Sequence, residues 1–160
     1  HEGADFGHAL ETAGGIIRAL PHLAKCFWIV AGDVYAPQFE FSQAIYKAFV
    51  ASPMQAHLVL VPNPAHNPKG DFGLSSAGLA LNLPKDSAPS KWTYSTIGLY
   101  KQSFFDESKT GIPAGNPHGI KAALAPLLRA AMDKGQVSAN VYNGAWTDVG
   151  TPERLAQLNF

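Results

Sequence analysis

Residues 9–35 read ALETAGGIIRALPHLAKCFWIVAGDVY, and this stretch decides the fold. It divides into a loop, a helix, a buried strand and a carboxylate. Glu11 and Thr12 precede the small residues Ala13-Gly14-Gly15, after which Ile16, Ile17, Leu20 and Leu23 recur at helical spacing. Cys26-Phe27-Trp28-Ile29-Val30 is then apolar without alternation, as in a strand covered on both faces. Gly32-Asp33 ends that strand. Ligands of an open α/β sheet sit outside the carboxyl ends of its strands, which puts Asp33 where a metal or phosphate is handled. On pattern alone a plain turn-capping role fits Gly-Asp as well.

The remaining chain repeats the alternation. Pro37 breaks it, and Phe41, Ala44, Ile45, Ala48 and Phe49 give helical spacing over Phe39 to Val50. Ala56 to Val61 is a second continuous apolar strand, stopped by Pro62-Asn63-Pro64. Short strands are expected near Asp71–Leu74 and Leu79–Leu83, a surface turn at Lys85–Ser90, and a strand over Tyr94–Tyr100. Ser103-Phe104-Phe105 opens a short helix. The best helix spans Ala122 to Lys134, with Leu124, Leu127, Leu128 and Met132 on one face. Pro126 requires a start near Leu124 or Ala125, since proline is tolerated only in the first turn. Val137, Ala139 and Val141 alternate as a half-buried strand. Thr151 N-caps a last helix with Pro152 at its first position. Alternating strands and helices predict a Rossmann-like α/β domain, its sheet mixed but mainly parallel, with helices on both faces.

Composition bounds the function. The chain has 160 residues, 46% hydrophobic and 15% charged, enough for one domain with a real core. Twelve basic residues balance twelve acidic ones, which argues against a duplex nucleic-acid binder. No apolar run is long enough to cross a bilayer, and the start HEGADFGHAL has no signal-peptide pattern. The single cysteine, Cys26, reads as a core residue, and a cytoplasmic location is expected. The six histidines, His1, His8, His22, His57, His66 and His118, show no zinc spacing and read as surface or loop residues. Trp28, Trp92 and Trp146 read as core.

Two motifs at opposite ends carry a family resemblance. LETAGGI with a strand ending in GDV, and Trp146-Thr147-Asp148-Val149-Gly150-Thr151-Pro152-Glu153-Arg154-Leu155, resemble segments of the sugar-nucleotide pyrophosphorylases, or nucleoside-diphosphate-sugar nucleotidyltransferases. Lys69-Gly70-Asp71-Phe72 and the helix from Leu124 to Arg129 resemble most the N-acetylmuramate 1-phosphate uridylyltransferase group, with the mannose-1-phosphate guanylyltransferases close by. Residues 1–160 would then be a single nucleotidyltransferase domain, the C-terminal two-thirds of the family fold.

The resemblance implies a sugar 1-phosphate attacking the α-phosphorus of a nucleoside triphosphate, with release of pyrophosphate. It implies Asp33 and Asp148 as catalytic ligands of one Mg²⁺, a hard cation that takes oxygen ligands and keeps waters. Asp148 could instead cap the last helix, a role that Thr151 already fills. Glu11, Thr12 and Gly14 would lie nearest the nucleobase and ribose, where small residues allow close backbone approach. Gly70 and Ser95 match positions that contact the sugar, while Ser95 fits an ordinary strand residue nearly as well and Gly14-Gly15 fits tight packing at a helix start. An acidic sugar-binding residue common in relatives is not matched cleanly at Lys85-Asp86-Ser87. No GxSxG, HExxH or Cys–His motif suggests a side-chain nucleophile.

The family's GxGxRxxPLT loop and PKPLxPxxGxP segment match nothing in these residues. That loop supplies charge stabilisation, often the largest catalytic term, so residues 1–160 alone are expected not to turn over at a useful rate. The leading reading is a cytoplasmic enzyme making a nucleoside-diphosphate sugar, UDP-N-acetylmuramic acid in cell-wall recycling foremost. The rival is a non-catalytic sugar-nucleotide-binding module. Neither reading involves nucleic acid or membrane.

Overall fold

A computed structural model describes residues 5–84, 91–156 and 158. The expected turn at 85–90, with Lys85, Asp86 and Ser87, lies outside these described residues, as does His1. In chain order the elements are α1 (Glu11–Ala19), a 3-10 turn (Leu20–His22), β1 (Cys26–Val30), β2 (Val34–Tyr35), α2 (Gln43–Ala51) and β3 (Ala56–Val61). Then come β4 (Gly73–Leu74), β5 (Ala80–Leu81), β6 (Thr93–Lys101), a second 3-10 turn (Gln102–Phe105), α3 (Glu107–Thr110) and α4 (Leu124–Met132). β7 (Val137–Val141), β8 (Thr147–Asp148) and α5 (Pro152–Ala156) complete the chain.

The main sheet has the order β1-β6-β3-β7. β3 pairs with β7 in parallel, while β6 is antiparallel to both β1 and β3. Three strands therefore run one way and β6 runs against them. The sheet is mixed, as expected, but its one reversed strand lies inside it. Two further strand pairs, β2 with β8 and β4 with β5, are only two residues long.

Alternation sorts the sheet's two faces. Phe27, Ala56, Leu58, Leu60, Tyr100, Val137 and Ala139 join one core with Ala13 and Ile17 of α1 and Leu124, Leu128 and Met132 of α4. Burying each large apolar side chain contributes about 1.5–3 kcal/mol. The aromatic turn after β6 adds Phe104 and Phe105 to this layer, their rings edge to face at 4.8 Å. α2 covers the other face. Ser42 N-caps it by accepting from the Ile45 amide at 3.3 Å, Tyr46 donates to the Cys26 carbonyl at 3.1 Å, and Phe49 is buried. Ser42 is also why the helix begins late: Phe39 and Phe41 stay outside it and pack edge to face on Trp28.

Two more expectations shift. Glu11 to Gly15 is the first turn of α1 and not a loop, because the Ala13 and Gly14 amides both donate to the Ala122 carbonyl, at 2.9 and 3.1 Å. A distant segment thus satisfies the helix's orphan donors. α4 starts at Leu124 with Pro126 in its first turn, as the proline requires, but ends at Met132 and not at Lys134. The last helix behaves as read, with the Arg154 amide donating to Thr151 Oγ1 at 3.3 Å.

His57 is not a surface residue. Its Nδ1 lies 2.9 Å from Ser138 Oγ and its Nε2 2.8 Å from Asn140 Oδ1. Burial lowers its pKa from the usual 6.5, against the opposing pull of the Asn140 hydrogen bond. The folded imidazole binds a proton less readily than the unfolded one, so this contribution to stability is complete above pH 6.5 and is lost as pH falls. Between about pH 7.5 and about pH 5, Tm of the wild type is expected to drop more than that of His57→Gln, which keeps polar partners without titrating. Equal pH slopes would remove His57 as the cause.

Candidate functional site

The carboxyl ends of β1, β3 and β7 lie at one edge of the sheet, and the candidate site is built there. β1 passes through Gly32-Asp33 into β2, which pairs with β8 so that Val34 stands opposite Asp148. The Val149 amide donates to the Asp33 carbonyl at 2.7 Å. A Cβ placed on Gly150 would lie 3.1 Å from Asp33 Oδ2 and 3.4 Å from Asp148 Oδ1. The two carboxylates therefore flank one glycine, despite their distance in sequence.

Their surroundings differ. Asp148 is partly buried and holds two partners, Arg154 Nη2 on Oδ1 and His66 Nε2 on Oδ2, each at 2.7 Å. Asp33 is exposed and makes no ion pair among the described residues. Two hard oxygen donors on adjoining backbone suit a Mg²⁺-like cation. Among the described residues no three His, Cys, Asp or Glu side chains form a protein-only cage. A cation here would complete its shell with water and phosphate.

A cleft lies beside the carboxylates. Its larger cavity, about 750 Å³, is lined by Glu11, Thr12, Ala31, Tyr94, Thr96 and Arg129 among others. A smaller one of about 600 Å³, lined by Asn67, Lys69, Gly70 and Lys91, shares Asp71 and Arg129 with it. Glu11 and Thr96, with φ of 60° and 61°, are non-glycine residues in the left-handed region, and both line the larger cavity. Such backbone costs about 1–3 kcal/mol and clusters at binding sites. Tyr94 reaches the same cavity, its hydroxyl 2.8 Å from that of Tyr100. Burial pushes both phenols upward, so the pair stays neutral.

The structure gathers some of the residues singled out from sequence and separates others. Glu11 and Thr12 line the larger cavity and Gly70 the smaller one. Gly70 has φ of 62°, and a Cβ there would meet Asn63 Oδ1 at 2.7 Å and the Lys91 backbone at 2.8 Å. Gly14 and Ser95 line neither cavity. Gly14 packs on the 116–122 loop, where Asn116 Nδ2 donates to its carbonyl at 3.2 Å. Ser95 is wholly buried; its hydroxyl donates to the Val59 carbonyl at 2.7 Å and accepts from the Ile97 amide at 3.1 Å.

Sequence reasoning missed five contributors. His66 belongs to no motif, and only the fold brings it to Asp148. Arg154 was in view inside the PERL segment, one helical turn beyond Thr151, but received no role. Asp71 and Thr96 follow Gly70 and Ser95 directly. They line the larger cavity together with Arg129.

No family model matches the chain. In sequence it is 41% identical over 150 residues to the N-acetylmuramate alpha-1-phosphate uridylyltransferase of Neisseria meningitidis serogroup B, a match that takes in 92% of this chain and 60% of that protein. In structure it is similar to a candidate glucose-1-phosphate thymidylyltransferase from Bacillus anthracis in complex with a sucrose, with TM-score 0.69 and 18% identity over 94% of this chain and 60% of the other. The inositol-1-phosphate CTP transferase from T. maritima gives TM-score 0.65 and 17% identity, over 91% of this chain and 58% of its own. The chain thus spans about 60% of the relative it matches in sequence. Its fold is that of the nucleotide-diphospho-sugar transferases, and its resemblance to the sugar-1-phosphate nucleotidyltransferases extends over nearly all its residues.

A test of Gly14 separates packing from ligand contact. Its added Cβ would meet the Ile120 carbonyl oxygen at 2.7 Å. Gly14→Ala is expected to destabilise by about 1–3 kcal/mol, seen as a lower Tm in a thermal melt. An unchanged Tm would show that the 116–122 loop yields easily and that packing does not fix this glycine.

Proposed function

We propose that this chain, a sugar-1-phosphate nucleotidyltransferase by resemblance and fold, supplies the metal, base and sugar sites of an enzyme that joins N-acetylmuramate 1-phosphate to UTP. The products are UDP-N-acetylmuramic acid and pyrophosphate, in the recycling of cell-wall sugar within the cytoplasm. The observation that carries this reading is the meeting of Asp33 and Asp148 across Gly150, on the segment that leaves the Glu11- and Thr12-lined cavity at Ala31.

Asp33 and Asp148 would hold Mg²⁺, which would supply neutralisation of phosphate charge. Arg154 on Oδ1 and His66 on Oδ2 fix the orientation of the Asp148 carboxylate. Glu11 and Thr12, with Gly14 closing the turn behind them, face the base and ribose. Gly70 and the Ser95–Thr96 bend flank the sugar, Thr96 with its side chain and Ser95 by shaping the backbone. No protein nucleophile is required, because the sugar phosphate oxygen is already anionic. The protein's work is in-line placement of that oxygen against the α-phosphorus, with the P–O bond to pyrophosphate breaking as the new one forms.

The experiment is pyrophosphate release by the complete protein carrying this sequence, with UTP or GTP and with N-acetylmuramate or mannose 1-phosphate. UTP with N-acetylmuramate 1-phosphate is expected to be the fastest pair; a preference for GTP with mannose 1-phosphate would favour the guanylyltransferase alternative. Asp33→Asn and Asp148→Asn are each expected to lower kcat by about 100-fold or more with Tm nearly unchanged. Near-normal turnover in either variant would sink the metal assignment.

A further inference from the structure

The Asp148 oxygen nearest Asp33 already carries a cation of the chain's own. A Cβ placed on Gly150 would lie 3.1 Å from Arg154 Nη2, 3.1 Å from Asp33 Oδ2 and 3.4 Å from Asp148 Oδ1. Arg154 Nη2 lies 2.7 Å from that same Oδ1, while His66 takes the other oxygen, Oδ2. The guanidinium therefore stands at the gap between the two carboxylates. It sits against the oxygen that a shared divalent cation would need.

In other respects Arg154 is poorly held there. Its Nε is buried and has no hydrogen-bond partner among the described residues, a deficit that costs free energy for as long as the guanidinium keeps this position. The helix that carries it, α5, spans five residues and buries none of them. An element with so little buried surface shifts without disturbing the core. Arginine stays charged at any ordinary pH, so it cannot make room for a second cation by losing a proton. Two cations on one oxygen repel each other. Withdrawal of the side chain is what relieves that repulsion.

We propose that the Arg154 guanidinium is the resident counter-ion of the Asp33–Asp148 pair, and that it withdraws from Asp148 Oδ1 when a divalent cation enters. Arg154 thus competes with the cation and lowers its affinity, while His66 on Oδ2 keeps the carboxylate oriented through the exchange. This rests on the metal assignment proposed above and gives that site a regulator built into the chain.

Calorimetric titration of Mg²⁺ into the complete protein carrying this sequence, with no substrate present, tests it. Arg154→Gln is expected to bind Mg²⁺ about 10-fold more tightly than the wild type, because a unit positive charge beside the dication is gone. Arg154→Lys keeps the charge and is expected to stay closer to the wild type than to Arg154→Gln. Unchanged or weaker binding in Arg154→Gln would mean that Arg154 only orients Asp148, and overturns the inference. So would equal tightening in Arg154→Lys, since charge would not be the cause. Asp148→Asn separates this failure from that of the site itself. If it binds Mg²⁺ as well as the wild type does, or if neither the wild type nor Arg154→Gln binds Mg²⁺, the metal assignment falls and takes this inference with it. Should Arg154→Gln fail to fold, Arg154→Met, which keeps an apolar stem without the charge, is titrated in its place and read in the same way.

Discussion

The bend at Ser95–Thr96 in β6 holds the site together. β6 pairs with β1 on one side and β3 on the other, and the β3 register shifts between Leu58 and Leu60, opposite this bend. Thr96 takes a φ of 61°, which for a β-branched residue persists only when neighbours over-determine it. The neighbours do so. Ser95 Oγ ties the bend to β3 through the Val59 carbonyl at 2.7 Å, the Thr96 carbonyl accepts from the Ala31 amide at 3.3 Å, and the Ser95 carbonyl accepts from Trp146 Nε1 at 3.1 Å. Ala31 leads to Asp33 and Trp146 leads to Asp148. One irregularity in a central strand thus fixes the two segments that carry the carboxylates.

The same bend separates structural from functional work in adjoining residues. Ser95 spends its hydroxyl inside the sheet, so an apolar replacement would leave the Val59 carbonyl without that donor. Thr96 lines the larger cavity, with its hydroxyl donating to the Ser95 carbonyl at 2.6 Å. Bulges next to binding sites re-aim side chains in this way. At the other end of the cleft Glu11 repeats the device, with left-handed backbone at the first residue of α1. Asymmetry between the carboxylates follows similar logic. Asp148 is held by Arg154 and His66 on two sides, whereas Asp33 remains open to solvent, one fixed and one adaptable donor.

Much of the fold was legible because it is written locally. The continuous apolar runs at 26–30 and 56–61 are strands, Pro126 marks the first turn of α4, and Thr151-Pro152 starts the last helix. The reversal of β6 was not legible. Between β3 and β6 the chain offers only two-residue strands and turn residues, and nothing in such a passage states which way the next strand will run. Helical Glu11–Gly15 was hidden for another reason: its amides are satisfied by Ala122, a partner over a hundred residues away. The candidate site divides along the same line. Residues inside motifs were found, while His66 and His57 were set aside because histidine spacing bears on metal clusters and not on pairing across a fold. Gly14 and Ser95 were visible as motif positions, but only three dimensions reveal that their neighbours are protein atoms.

The β2–β8 pair is only two residues long, yet it closes a loop of some 115 residues, whose entropy rises by about 0.6 kcal/mol per doubling of length. The arm beyond it is thinly held, since α5 has no buried residue and Leu155 is 49% exposed. Segments with so little buried surface open on their own, well below the free energy of global unfolding. When β8 and this arm lift together, Asp148 leaves Asp33 while the core stays intact. Binding across the two carboxylates and docking of β8 with its arm are therefore one thermodynamic event: whatever bridges Asp33 and Asp148 also staples β8 to β2, and the arm's amides should exchange more slowly in its presence.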